Sequence, residues 1–398
     1  MMYYFVPKMF SQRGAEPSPL VAADYGDPEV LRRELVLLRD SWQLVAAGSE
    51  LAHHGDYVAA DVAGVPVVVR NEHGTLRAFV NVCAHRQSLV VPLGRGRSEQ
   101  LKCSYHGWCY GPAGELVHVP DRESFNGLHV ERLRLAPIAV EQVGELVLVR
   151  AGRSSAPLFA ETIGALHDEL RTVFERPLSL VWRKNLVVDV NWKVLIDNAV
   201  ESYHVPIVHP LTFGHYRPPE HHDHLLAPTF TRYRDAEPAS RNLRGIAMAF
   251  AKRLVLGNAD LRRELARTTH VHVFPNLLLN LGDLFCDAAV VTPLGPRRSS
   301  VLRFGFMPQP AHSAVASVHA LLARALGVID ARISGEDAAV WPRVQAGLDA
   351  RPRSRAVLGA REERVLAWQR WLVTQLRESS PLDPRRAPGQ PDAEPDQY

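Results

Sequence analysis

Two short stretches carry residue types that could bind a metal. Cys83-Ala84-His85 is followed, seventeen residues later, by Cys103-Ser104-Tyr105-His106, in a chain with only 4 cysteines and 18 histidines. Two Cys and two His suit either zinc or a [2Fe–2S] centre in which the cysteines hold one iron and the histidines the other. Zinc fingers pair Cys with Cys and His with His. Here each stretch offers one of each, so each loop could reach both irons, and the iron–sulfur reading is favoured over zinc. Such a centre moves single electrons.

The second set lies further on. Asn198, Glu201 and His204 fall three apart, and His209 follows just beyond Pro206. On a helix the first three share one flank, and Pro206 ends it, so His204 and His209 bracket a helix end and can meet one ion. A carboxylate would complete a 2-His-1-carboxylate triad, the set that leaves open positions on Fe(II) for oxygen. The adjacent acids Glu336 and Asp337 are candidates. They project about 100° apart on a helix, so one should face the metal, and the pattern alone does not choose.

The elements that must position these residues are of two kinds. Asp27-Pro28 opens a helix with Leu31, Leu35, Leu38 and Trp42 on one stripe. From Gly55 to about Val149, β-branched runs alternate with turns such as Asn71-Glu72-His73-Gly74, which reads as a small antiparallel β domain with both ligand pairs in its loops. The composition shifts after 151–157. Beyond it, strands (Ser179–Val190, Thr269–Leu281, Ala288–Thr292, Ser299–Phe306) mix with helices (Asn191–His204, Ser313–Arg332, Glu336–Leu348, Arg361–Leu376). The fold class is therefore α+β: a small antiparallel β domain followed by an antiparallel sheet flanked by helices. The expected organisation is an N-terminal segment with a helix (1–45), the cluster domain (46–155), the second metal domain (156–380) and a disordered tail (381–398). Pro342 should kink its helix one turn beyond the acids. Trp192 and Tyr203 read as core.

Asn81-Val82-Cys83-Ala84-His85-Arg86 and Cys103-Ser104-Tyr105-His106-Gly107-Trp108 closely resemble the two boxes of the Rieske non-haem iron oxygenases, the family of ring-hydroxylating dioxygenase α-subunits and of choline- and carnitine-type monooxygenases. The resemblance runs from about Asp27 to Leu376. It implies Cys83, His85, Cys103 and His106 as ligands of one Rieske [2Fe–2S] cluster, and His204, His209 and Asp337 as ligands of one Fe(2+). It makes Asp337 the ligand because Glu-Asp followed by Gln345 and Gly347-Leu348 resembles the family's third-ligand region. Glu201 resembles the acidic bridge between a cluster histidine of one subunit and an iron-ligating histidine of the next, where most members have Asp. Asn198 resembles a polar residue near the iron, and His270, His272 and Asn276 fall on a strand resembling one that lines the substrate pocket. The segment 211–224, with His215, His221, His222 and His224, reads as a solvated lid. Two departures stand out: Gln87 where the family usually has glycine, and Cys109 where Thr or Ser is common. Cys109 has no local disulfide partner because Ser88 stands at the matching offset of the first box. A Cys109–Cys286 pair stays open.

What this implies is the oxygenase component of a two-metal enzyme. The cluster passes electrons to Fe(II), which activates O2 to oxidise a small organic substrate. The reading leans to monooxygenation (hydroxylation or demethylation), with a cis-dihydroxylating aromatic-ring dioxygenase as the alternative and a non-catalytic Rieske electron carrier as the rival of another class. No Rossmann or flavin fingerprint occurs, so a separate NAD(P)H-dependent reductase or ferredoxin is expected. The family implies a homotrimer. The formal charge of +3 carries no nucleic-acid footprint. With no run of eighteen apolar residues, no membrane partner is expected, and a reducing cytoplasm is.

Overall fold

A computed structural model describes residues 10–11, 14–152, 156–210, 222–235, 269–310 and 316–378. The expected tail at 381–398 lies outside them. Two compact units form: Arg33–Thr162, and Ile163–Glu378 together with the residues up to Arg32. The division falls at Thr162, beyond the composition shift, and the segment expected over 1–45 is split at Arg32. Helix α1 (Pro28–Asp40) begins where expected. Oδ1 of Asp27 accepts the Glu29 N–H at 2.8 Å, which satisfies a donor the helix itself cannot pair.

The first unit is built on β1 (Gln43–Ala47), β2 (Asp56–Val62), β3 (Val65–Glu72), β4 (Thr75–Val80) and β5 (Gly94–Arg97), with β9 (Pro137–Val143) and β10 (Leu146–Arg150). They make one antiparallel sheet in the order β1-β10-β9-β4-β3-β2-β5. Two hairpins fix its register. Ala63-Gly64 and His73-Gly74 each sit at positive φ between paired residues, Val62 with Val65 and Glu72 with Thr75, the backbone that a two-residue type I′ turn requires. Side chains alternate between faces. Val58, Val67, Val69, Val147 and Val149 fill one side. Tyr57, Ala59, Val68 and Phe79 fill the other, with Cys83, Cys103, Trp108 and Tyr110 packed onto them. A second small sheet of β6 (Leu101–Lys102), β7 (Cys109–Tyr110) and β8 (Leu116–His118) frames the second metal loop.

The second unit holds a seven-stranded antiparallel sheet. Its strands are β11 (Leu178–Val188), β12 (His222–Leu226), β13 (Phe230–Asp235), β14 (Thr269–Val273), β15 (Leu277–Leu281), β16 (Cys286–Gly295) and β17 (Arg298–Pro308), ordered β11-β17-β16-β15-β14-β13-β12. Around it lie α2 (Leu166–Phe174), α3 (Trp192–Ala199), α4 (Val205–Val208), α5 (Ala316–Ala338), α6 (Trp341–Ala350) and α7 (Glu363–Glu378).

Four local expectations are corrected. The strand expected over Thr269–Leu281 is a hairpin, β14 and β15, because Pro275 cannot donate to the ladder and turns the chain between them. The helix expected over Asn191–His204 ends at Ala199, and α4 restarts beyond His204 with Pro206 in its first turn. A proline clashes with the carbonyl four residues earlier, so one helix cannot run through Ser202 to Pro206, whereas a first turn tolerates it. The same physics acts at Pro342, which opens α6 rather than kinking a helix, and it leaves Glu336 and Asp337 at the C-terminal end of the long α5. Tyr203, in the break between α3 and α4, is 57% exposed and not core. Among the described residues, no helix is long and apolar enough to cross a membrane.

Candidate metal centres

The two loops of the first unit are built alike. The Cys83 N–H donates to the Ser88 carbonyl and the Gln87 N–H returns to the Cys83 carbonyl; Cys103, Trp108 and Gly107 repeat the pattern. Asn81, fully buried, anchors the first loop by bonding both backbone groups of Val91, at 2.8 and 3.1 Å. The Tyr110 hydroxyl donates to Cys83 Sγ at 3.1 Å and accepts the Ala84 N–H at 2.9 Å. Burial pushes the Cys83 thiol up, so a bound metal is what would hold it as thiolate.

His85 stacks on the buried Trp108 ring, centroids 4.8 Å apart, and meets His106 at 4.6 Å. Its buried Nδ1 has no hydrogen-bond partner among the described residues. An imidazole nitrogen buried without a partner is costly, and an iron ligated there removes the cost. Cys83, His85, Cys103 and His106 therefore fit a [2Fe–2S] centre. His106 is exposed, so one edge of the site faces outward. No disulfide joins Cys109 to Cys286; the Cys109 thiol lies on β7 and donates to the Gly107 carbonyl at 3.3 Å.

In the second unit, α3, α4 and α5 bring His204, His209 and Asp337 together, one ligand atom from each within 4.8 Å of the others. Asp337 Oδ1 lies 3.1 Å from His209 Nε2 and 3.6 Å from His204 Nε2. The opposite nitrogens are both taken by glutamates. His204 Nδ1 bonds Glu201, which also accepts the Tyr203 and His204 backbone N–H groups and so caps the break before α4. His209 Nδ1 bonds Glu336 Oε2 at 2.8 Å, and Arg332 holds the other oxygen of Glu336 at 3.2 Å. A carboxylate only accepts, so each Nδ1 carries the proton and each Nε2 offers its lone pair inward.

Three acceptors then converge with no donor between them. Burial works against a proton on His204, yet Glu201 and Asp337 outweigh it and raise its pKa; burial likewise pushes the Asp337 carboxyl up. A bound cation resolves both, and this donor set is that of Fe(II). Asn198 supports it: the Trp341 indole N–H donates to its Oδ1 at 2.8 Å, and its side chain works against the upward push of burial on the Asp337 carboxyl. Glu336 and Asp337 thus both point into the site, Asp337 at the ligand position and Glu336 behind His209. The role of Glu336 escaped the sequence, because nothing local says which histidine nitrogen a distant acid will meet.

His204, His209, Asp337, Asn198, Glu201 and Trp341 line a cavity of about 470 Å³. His270 lines it too. His272 does not: it is fully buried, and its Nε2 is 2.8 Å from the Pro275 carbonyl. Asn276 lies past the end of β14 and donates to the Val291 carbonyl, so the expected alternating face ends at the turn. Residues 211–221 of the expected lid lie outside the described residues. His224, at its end, is on β12, nearly buried, with Nδ1 on Glu363 at 2.8 Å, which is not a solvated lid.

The sequence profile of the ring hydroxylating alpha subunit (catalytic domain) matches residues 174–378, and that of the Rieske [2Fe-2S] domain matches residues 41–137. The chain is 27% identical to choline monooxygenase of Arabidopsis thaliana over 87% of its own length and 79% of that protein. Alignments to the choline monooxygenases of Beta vulgaris, Atriplex hortensis and Spinacia oleracea span less than half of those proteins. Two solved structures share the fold. A quaternary ammonium Rieske monooxygenase, described for carnitine oxidation and inter-subunit electron transfer, has a TM-score of 0.73 at 21% identity, covering 91% of this chain and 96% of that one. Naphthalene 1,2-dioxygenase from Rhodococcus sp. gives 0.70 at 23%, covering 91% and 95%.

Proposed function

Because the chain belongs to the ring-hydroxylating alpha-subunit family and carries that family's Rieske domain, we propose that it is the oxygenase component of a monooxygenase acting on a small quaternary ammonium compound. The observation that carries this is the convergence of His204, His209 and Asp337 in the wall of a substrate-sized cavity. When bound, the cluster supplies single electrons and the mononuclear iron activates O2 for attack on a C–H bond. The protein's own residues do the rest. Cys83, His85, Cys103 and His106 hold the cluster, with Trp108 covering it and Tyr110 donating to a ligand sulfur. Glu201 and Glu336 fix the tautomer and angle of the two iron-site histidines. Leu186, Leu278, Ala289, Val291 and Val301 line the cavity with apolar surface that excludes water.

The relatives' names favour monooxygenation, while the fold is common to a monooxygenase and a dioxygenase and does not decide. The cavity wall speaks against an aromatic hydrocarbon, since Arg364, Asp287 and Asn280 line it and a hydrocarbon would displace water from these polar groups and offer nothing polar in its place. A carrier of electrons alone would have no use for the triad. The electron donor is a separate reductase or ferredoxin, and the assembly is a homotrimer, in which Glu201 joins the cluster of one subunit to His204 of the next. Sedimentation and substrate-dependent oxygen uptake with NADH and a flavin reductase test the scheme. Uptake with release of an aldehyde or a hydroxylated amine is expected; a cis-diol from an arene, or no uptake with any quaternary amine, would contradict it.

A further inference from the structure

One wall of the cavity is a face of the second sheet, and one row of it is polar. Strand register sets Tyr233, His270, Asn280 and Asp287 opposite one another on β13, β14, β15 and β16. All four line the cavity.

Arg364 of α7 stands at the His270 end, also in the cavity wall and 3% exposed. Its Nε donates to Thr231 Oγ1 at 3.1 Å and its Nη2 to His270 Nδ1 at 3.0 Å. A guanidinium only donates, so His270 Nδ1 is unprotonated and the remaining N–H of His270 is on Nε2. Among the described residues no carboxylate lies within 4.0 Å of Arg364. Glu363, its neighbour in sequence, turns instead to Ser11 and His224.

At the other end Asp287 is 6% exposed, and both its oxygens accept from the Asn280 amide at 3.1 Å. No cation among the described residues lies within 4.0 Å of it. Arg303, the basic residue across the same sheet face, is committed to Asp330 and Ser334. His270 and Asp287 are two strands apart, about 10 Å, so the two charges do not neutralise each other directly. A buried cation and a buried carboxylate with no oppositely charged group within 4.0 Å among the described residues cost stability in an empty cavity, and a ligand of matching polarity offsets both costs.

We propose that this row binds a zwitterion: Arg364, with the N–H of His270 beside it, receives a carboxylate of the substrate, and Asp287 with Asn280 receives its cationic end. The inference rests on the oxygenase reading and narrows its substrate to an ammonium carboxylate, as opposed to an ammonium alcohol.

Anaerobic calorimetry on the metal-loaded protein tests it, with glycine betaine and carnitine as zwitterions, their methyl esters, and choline. The zwitterions should bind at least about 30-fold more tightly than the esters, the scale of losing one partner of a buried ion pair. Arg364→Met should abolish that preference while the reduced cluster keeps its EPR signal. Asp287→Asn should instead weaken zwitterions relative to a carboxylate of the same shape with carbon in place of nitrogen, and it supplies the test should Arg364→Met fail to fold. Equal binding of zwitterion and ester to the wild type, or a preference surviving in Arg364→Met, would overturn the proposal. Failure of the two readings is distinguishable: oxygen uptake with choline and no carboxylate preference sinks only the zwitterion site, whereas the preference without oxygen uptake sinks only the oxygenase reading.

Discussion

Gln87 and Gly107 occupy the same place in the two cluster loops. Each donates its N–H to the carbonyl of its loop's cysteine, at 3.0 and 2.9 Å, and each lies at positive φ, 56° and 73°. The loop turn therefore demands left-handed backbone at this position in both. Glycine meets the demand without penalty and glutamine does not.

Gln87→Gly should accordingly stabilise the protein by about 1 kcal/mol, net of glycine's greater freedom in the unfolded chain. The denaturant midpoint should rise with the slope unchanged and the cluster spectrum intact. A fall in the midpoint would show that the Gln87 side chain contributes more than its backbone costs.

Tyr110 donates to Cys83 Sγ, and a hydrogen bond to a ligand sulfur favours the more negative, reduced cluster. Tyr110→Phe should lower the cluster's reduction potential and slow reduction of the second site, with metal content unchanged. Redox titration followed by EPR measures this, and an unmoved potential would remove Tyr110 from the electronic account.

Glu336→Ala should loosen the mononuclear metal without touching the cluster. Loss of an acid that orients a ligating histidine typically costs about 10- to 100-fold in metal affinity. Iron retention against a chelator reads the effect, and Glu336→Gln, which still accepts from His209 Nδ1, should recover part of it. Equal retention in wild type and Glu336→Ala would return Glu336 to a purely structural role with Arg332.

Asp197 on α3 is partly buried and accepts from the Tyr25 hydroxyl, the Trp368 indole and the Gln369 amide. Burial, against those bonds, pushes its pKa from 3.8 up to about 6. For an acid raised in the folded state, the folded form holds the proton more tightly, so stability is lost as pH rises from about 4 to 6. The loss amounts to about 3 kcal/mol and stays constant above that window. Unfolding free energies of wild type relative to Asp197→Asn should fall by this order across the window. A constant difference would mean that Asp197 titrates alike in both states.

What could be read from the sequence follows from how local each signal is. The cluster boxes are local in sequence, and so is the hairpin turn His73-Gly74, so residue types and spacing expose both. His204 and His209 are close in sequence as well, although the helix thought to carry the former stops at Ala199 once Pro206 is accommodated. Asp337 could be chosen over Glu336 only by resemblance, because the choice depends on how α5 meets α4. The polar row from Tyr233 to Asp287 depends on register across three strand pairs, and Arg364 joins it from a helix nearly a hundred residues beyond His270. His270 and Asn276 looked alike in a strand pattern that Pro275 ends. Such relationships are set by tertiary pairing and leave no periodic trace.

Under the proposed scheme a cluster at Cys83, His85, Cys103 and His106 feeds a separate iron at His204, His209 and Asp337. Iron analysis of Asp337→Ala, with EPR of the reduced protein, tests it most directly. The variant should keep the Rieske signal and both cluster irons, lack the additional iron of the wild type, and consume no oxygen with substrate. A variant that retained that iron and turned over would contradict it.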